Sequence, residues 1–237
     1  MTSGYVDLHS HFLPALDDGA TDLEVSLRMV AAVTDLGFSQ LTATPHQRAG
    51  MYLPSRPDID RAFAEVTDAV GGKVALGLAA ENFWDDVLHE RLSGGGLPSY
   101  PGGRAFLFEV DPQLMPPHIE DRLFEQRVAG RLPVMAHPER YRAIQKDMSR
   151  AEAIGRTAAM LVDLGAVAGA YGWLQKRAAR RLLEENLVHA VATDVHRPDD
   201  ARAAAAGMAW IRKRLGPDTL DRLLGENPRR ILAGDLP

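Results

Sequence analysis

Val6-Asp7-Leu8-His9-Ser10-His11 alternates apolar and polar residues and ends in two histidines. Five more apolar, strand-like runs end in the same kind of residue: Leu41-Thr42-Ala43-Thr44-Pro45-His46, Leu76-Gly77-Leu78-Ala79-Ala80-Glu81, Phe106-Leu107-Phe108-Glu109, Val134-Met135-Ala136-His137 and Val191-Ala192-Thr193-Asp194-Val195-His196. Asp18 follows the first run. A metal-binding residue type at the C-terminal end of six successive strands predicts a barrel with a metal site at its mouth, the face where such active sites gather.

Helical patterns alternate with these runs. Leu23, Leu27 and Val30 have helical spacing after Thr21-Asp22-Leu23-Glu24, which fits a capping box, and Gly37 fits the stop. Ile59, Phe63, Val66 and Val70 form the face of a second helix that ends at Gly71-Gly72. Further helices are expected near Asp85 to Leu92, Pro116 to Gly130, Met148 to Thr157, Trp173 to Asn186, Ala201–Leu215 and Pro217–Leu224. A sixth strand is expected at Met160-Leu161-Val162-Asp163 and a seventh at Val188 to Thr193. Alternation of this kind implies parallel βαβ units. The count is seven strands, one short of the usual eight-stranded barrel. No linker, repeat or low-complexity tract divides the chain, so one domain over residues 1–237 is expected.

Composition narrows the chemistry. The chain has 237 residues, of which 46% are hydrophobic and 25% charged, with a net charge of −5. That suits a globular α/β enzyme and offers no basic field for nucleic acid or anionic lipid. There is no cysteine, so disulfides, thiolate metal sites and a phosphocysteine intermediate are excluded together. No apolar run approaches the length of a membrane span, and the N-terminus enters a strand within a few residues. A cytoplasmic location is expected. The sequence leaves a homo-oligomer open.

His9 and His11 lie two apart on a strand and so point the same way, as do Asp194 and His196. Imidazoles and carboxylates without sulfur suit zinc, manganese, iron or nickel. Glu81 and Glu109 each end an apolar run, where a carboxylate is costly to bury unless a cation or an arginine pairs with it. The nine candidate ligands are His9, His11, Asp18, His46, Glu81, Glu109, His137, Asp194 and His196. Their four carboxylates carry a charge of −4. Two divalent ions would neutralise it, and three would leave a surplus suited to a phosphate dianion. His89 and His118 read as solvated, His189 as the start of a strand at the opposite end, and Trp173 and Trp210 as core. The Arg177-Ala178-Ala179-Arg180-Arg181 run reads as the wet face of a helix.

The order His9-x-His11, His46, His137, Asp194-x-His196 resembles the motif set of the PHP (polymerase and histidinol phosphatase) metal-dependent phosphoesterases. Within that family the chain is more similar to the capsule-associated bacterial protein-tyrosine phosphatases. The likeness includes Asp7-Leu8-His9-Ser10-His11, Asp17-Asp18-Gly19, Gly50-Met51 after His46, Ala80-Glu81, His137-Pro138-Glu139-Arg140-Tyr141, Thr193-Asp194-Val195-His196 and Asn227-Pro228-Arg229. The resemblance implies a distorted seven-stranded (β/α) barrel of the PHP type. It implies a trinuclear site usually assigned manganese, with zinc, iron or magnesium as alternatives. It further implies hydrolysis of phosphotyrosine on a tyrosine kinase of polysaccharide export. The pattern carries onto the nine residues above, with Asp18 as ligand and Asp17 left for loop structure. The family often has a more basic stretch after the second-strand histidine, where this chain has Gln47-Arg48-Ala49.

Positioning and charge stabilisation dominate phosphoryl transfer. Arg140 is the first candidate to grip the phosphate bidentately, and Arg48 and Arg197 are rim candidates. Rival readings are a PHP phosphatase for a small metabolite such as histidinol phosphate, a non-catalytic metal-binding scaffold, and an amidohydrolase. The last usually wants a lysine at mid-barrel, and no lysine here ends a strand.

Overall fold

The computed structural model describes residues 4–237. In chain order the elements are β1 (Tyr5–Ser10), α1 (Leu23–Thr34), β2 (Phe38–Ala43), β3 (His46–Gln47), α2 (Arg56–Val70), β4 (Ala75–Leu78), β5 (Glu81–Phe83), α3 (Asp86–Gly94), β6 (Ala105–Glu109) and α4 (Ile119–Val128). There follow β7 (Leu132–Ala136), a 3-10 turn at Pro138–Arg140, α5 (Arg142–Lys146), α6 (Ser149–Gly155), β8 (Ala159–Asp163), α7 (Leu164–Ala168), α8 (Trp173–Glu184), β9 (Ala190–Ala192), α9 (Asp200–Leu215) and α10 (Pro217–Asp221). A π-helical stretch, Arg222–Glu226, then joins α11 (Asn227–Leu232).

Among the described residues the named strands pair in parallel, in two sheets ordered β1-β2-β4 and β3-β5-β6-β7-β8-β9. The second and third apolar runs of the sequence are each split in two. Thr44-Pro45 separates β2 from β3, and Ala79-Ala80 separates β4 from β5. Pro45 has no N–H to give to a ladder, yet its carbonyl accepts from Glu81 N at 3.1 Å, so the two runs stay side by side. On the other side, Asp194 N donates to His9 O at 2.9 Å and His11 N to Val195 O at 3.0 Å, which stitches β1 to the chain beyond β9.

Alternate residues of the strands go to different cores, as the two-residue period of a strand requires. Leu107, Val134, Ala136, Ala159, Leu161, Ala190 and Ala192 join Val6, Leu8 and Tyr100 in one cluster. Phe106, Phe108, Met135, Met160, Val162 and Val191 join the helices in another. Strands buried on both faces explain why the runs read as almost continuously apolar. Tyr100 and Ile231 help to fill the first cluster, and the Tyr100 hydroxyl donates to Leu8 O at 2.9 Å. An interior packed in this way leaves the strand ends as the place for polar chemistry.

Several local expectations shift. The cap of α1 is Asp22, whose Oδ1 accepts from Val25 N at 2.9 Å, while Thr21 donates to Asp22 Oδ2. The last helix does not stop at Leu224. It runs on to Leu232, because Leu223, Leu224 and Ile231 are all buried. Trp173 is 66% exposed, because burial on α8 begins only at Ala178. His89 is half-buried, with Nδ1 2.7 Å from Asp85 O and its ring edge-on to Trp84. Among the described residues no helix is long and apolar enough to cross a membrane.

His189 precedes β9, and its Nδ1 accepts from Met160 N at 3.0 Å. Burial and Arg222 push it down to about 4. The unfolded chain, with an ordinary histidine near ~6.5, therefore binds more protons than the folded one between these values, and stability falls as pH drops through that window. His189→Asn keeps an acceptor for Met160 N but does not titrate. Urea unfolding at pH 7 and pH 4.5 is expected to show a smaller acid loss for this variant than for wild type. Equal losses would refute the assignment.

Candidate metal centre

β1 delivers His9 and His11 side by side. His9 Nδ1 lies 2.6 Å from Thr44 Oγ1, which also accepts from Ser10 N and donates to Ser10 O. With Nδ1 engaged by Thr44, Nε2 faces the mouth. His11 Nδ1 donates to Asp17 Oδ2 at 2.8 Å, which turns its Nε2 inward likewise. Asp17 is fixed in turn: Oδ1 accepts from Gly19 N and Oδ2 from His46 N, both at 3.0 Å. Gly19 must lack a side chain, because a Cβ there would lie 2.1 Å from His11 O.

The other strand ends converge on the same point. His46 and Glu81 are register partners across β3 and β5, with Nδ1 and Oε2 2.9 Å apart. His137 Nε2 lies 2.7 Å from Glu81 Oε1. His9 Nε2 is 3.1 Å from Asp194 Oδ1. His46 Nε2 and His196 Nε2 lie 3.3 and 3.5 Å from Asp18 Oδ1. Glu109 stands 3.7 Å from His46 and 3.8 Å from His137. His137 and Asp194 hold left-handed backbone angles, φ 33° and 48°.

All nine residues singled out in the sequence thus share one mouth, in four overlapping groups. These are His11, Asp18, His46 and His196; His9, Glu81 and His137; His9, His11 and Asp194; and His46, Glu81 and Glu109. In each, one donor atom per residue lies within 4.8 Å of the others. His9 Nε2, His11 Nε2 and Asp194 Oδ1 are buried without a hydrogen-bond partner, whereas buried polar atoms are normally paired. These three form one of the groups, and a cation would satisfy all of them. The donor set fits divalent first-row metals.

Charge crowding agrees. Burial alone would raise Glu81, but His9 and His46 hold it well below the usual carboxylate range. Glu109 is pushed up to about 8 by burial and by the Glu81 carboxylate. Burial lowers His137 to about 4, helped by Arg140, so its ring is a neutral donor.

The three arginines separate. Arg140 Nη2 lies 2.8 Å from Asp163 Oδ2 and 2.6 Å from Asp194 Oδ2, and its guanidinium stands 4.7 Å from the Tyr171 ring centroid. Arg48 stacks 4.0 Å over Phe83. Arg197 is exposed, with its backbone N donating to Asp200 Oδ2. Tyr52 stacks on His46 at 5.8 Å, and Trp84 packs on Phe108 at 5.1 Å.

The family described as "Capsular polysaccharide synthesis, CpsB/CapC" matches residues 5–233. The chain belongs to the CpsB/CapC family. Among its relatives, tyrosine-protein phosphatase YwqE of Bacillus subtilis is 28% identical, the alignment covering 96% of this chain and 91% of that protein. Tyrosine-protein phosphatase CpsB of Streptococcus pneumoniae is 28% identical over 98% of this chain and 99% of its own length. A crystal structure from work on YwqE and CpsB as metal-dependent tyrosine phosphatases superposes with a TM-score of 0.88 at 27% identity, over 97% of this chain and 95% of that one.

Four residues outside the sequence-derived set brace the candidate centre of this CpsB/CapC chain. Asp17 orients the His11 ring and accepts from the His46 backbone N–H, as well as shaping its loop. Thr44 orients His9. Asp163 and the buried Glu139 flank Arg140. Asp163 ends β8 as the other candidates end their strands, and that signal could have found it. Asp17→Ala is expected to weaken divalent metal binding about 10- to 100-fold, as loss of an orienting carboxylate does elsewhere, and Asp17→Asn less. Metal titration into chelator-treated protein measures this, and wild-type affinity in Asp17→Ala would contradict the orienting role.

Proposed function

We propose that this chain is a metal-dependent phosphatase that removes phosphate from protein tyrosines, and that its substrate is a tyrosine kinase of capsular or exopolysaccharide export. One observation carries the reading: nine imidazole and carboxylate side chains meet in one mouth, in a chain whose family match runs from residue 5 to 233. The strand order supports a distorted seven-stave (β/α) barrel of the PHP type, β2 with β3 and β4 with β5 each counting as one stave. We read it as a single domain over residues 1–237, acting in the cytoplasm. The donor groups are read as sites for two or three divalent ions, manganese first.

When bound, such ions supply Lewis-acid stabilisation and a water acidic enough to attack near neutral pH. The chain's residues do the rest. Thr44 and Asp17 lock the His9 and His11 rings with Nε2 inward. Glu81 turns Oε1 toward His9 and His137 and Oε2 toward His11 and His46, so one carboxylate serves both sides of the centre. Arg140, with 27% of its side chain exposed, offers guanidinium N–H groups to the phosphate. Arg48 and Arg197 add positive charge at the rim. No buried acid is needed for a phenolate, which leaves readily (pKa about 10). A serine alkoxide is a much poorer leaving group.

Manganese-loaded protein is expected to hydrolyse phosphotyrosine peptides and aryl phosphates, with phosphoserine peptides much slower, and chelation is expected to abolish turnover. Equal rates on the two peptide classes, or a strong preference for histidinol phosphate, would overturn the tyrosine reading. His137→Ala is expected to lose metal and activity together. Arg140→Ala is expected to keep metal but lose about tenfold to a thousandfold in kcat/KM, or about 1.4–4 kcal/mol, with little rescue by lysine. Wild-type kinetics in Arg140→Ala would remove it from the mechanism.

A further inference from the structure

We infer that Asp163 is a positioning residue that shares the charge of Arg140 and so keeps Asp194 available to a cation. This rests on the reading of Asp194 as a metal ligand. The two Asp194 oxygens have different surroundings: Oδ2 takes Arg140 Nη2 at 2.6 Å, and Oδ1 is buried without a hydrogen-bond partner, 3.1 Å from His9 Nε2. A guanidinium that close competes with any cation for the same carboxylate.

Asp163 divides that competition. Its Oδ2 accepts from the same Nη2 at 2.8 Å, so one N–H donor group serves two carboxylates. Asp163 cannot follow Arg140 elsewhere, because its Oδ1 is tied to Gly165 N at 2.6 Å at the start of α7 and its own N donates to Glu139 Oε1 at 3.4 Å. Gly165 has no side chain where a Cβ would meet Asp163 Oδ1 at 3.1 Å and the Tyr171 ring at 3.2 Å, so carboxylate, ring and guanidinium pack together. The same anchor fixes the point from which Arg140 reaches a phosphate.

Asp163→Asn leaves an oxygen for the α7 cap but removes the charge. The Arg140 guanidinium then has Asp194 as its one hydrogen-bonded carboxylate, with the buried Glu139 beside it, and a cation at Asp194 must displace a tighter ion pair. Manganese titrated calorimetrically into chelator-treated full-length protein tests this. Asp163→Asn is expected to bind manganese about tenfold more weakly, the scale of outer-shell effects on metal sites. Arg140→Gln is expected to bind at least as tightly as wild type. The double variant is expected to return to the Arg140→Gln value, a rescue that a merely loosened α7 would not give. Asp163→Ser, which also caps a helix, is expected to behave as Asp163→Asn if the latter folds poorly.

Wild-type affinity in Asp163→Asn and Asp163→Ser, or weak binding that persists in the double variant, overturns the inference. No substrate enters these titrations. Phosphotyrosine peptides left intact by a protein with the expected metal pattern would sink the proposed activity alone. Peptides hydrolysed by a protein without that pattern would sink the role of Asp163 alone.

Discussion

Glu81 is a carboxylate with 1% of its surface exposed, and ring nitrogens of four histidines lie within 3.5 Å of it. Burying such a charge without partners would cost several kcal/mol or neutralise it. The surrounding strands are arranged around that constraint. His46 must sit beside it in register across β3 and β5, and the two-residue interruptions at Thr44-Pro45 and Ala79-Ala80 bring both residues to the mouth. β1 and β7 bring the remaining rings. A centre built this way tolerates little rearrangement, because moving β1, β3 or β7 uncovers the Glu81 carboxylate.

The apolar runs and their polar ends were legible because both follow from local rules. A strand buried on both faces must be apolar nearly throughout, and a residue placed just past its end is free to be charged. The nine mouth residues were therefore visible without a structure. Asp163 obeyed the same rule but belonged to no paired motif, and its partner Arg140 lies on another loop, so its meaning is purely tertiary. Asp17 was hidden by its neighbour: two adjacent aspartates look interchangeable, and only the path of the loop decides that one faces His11 and the other His46. The cap of α1 is ambiguous in the same way, since Thr21 and Asp22 are both good caps and the backbone chooses the second. Trp173 reads as core because an apolar first turn resembles a core turn until the packing of α8 is known.

The arginines show how far residue type alone can mislead. Each was equally able to meet an anion. Arg140 is drawn inward by Asp163 and Asp194, Arg48 lies flat on Phe83, and Arg197 remains at the surface. What separates them is where the carboxylates stand: Asp163 and Asp194 face the Arg140 guanidinium, whereas Asp200 takes the backbone N–H of Arg197. The net charge of −5 says nothing of this distribution.

His137 and Asp194 hold backbone angles that an L side chain adopts at a cost of about 1–3 kcal/mol each. Glycine or asparagine would sit there more comfortably. Backbone strain and charge pairing thus pull in opposite directions at these two positions, because Glu81 lies against His137 and Arg140 against Asp194. Exchanging either residue relaxes the backbone but strands a buried charge, which costs more than the strain. A descendant gene released from its metal should therefore shed Glu81 and Arg140 together with His137 and Asp194, and a relic that lost only one of a pair should be the easier to unfold.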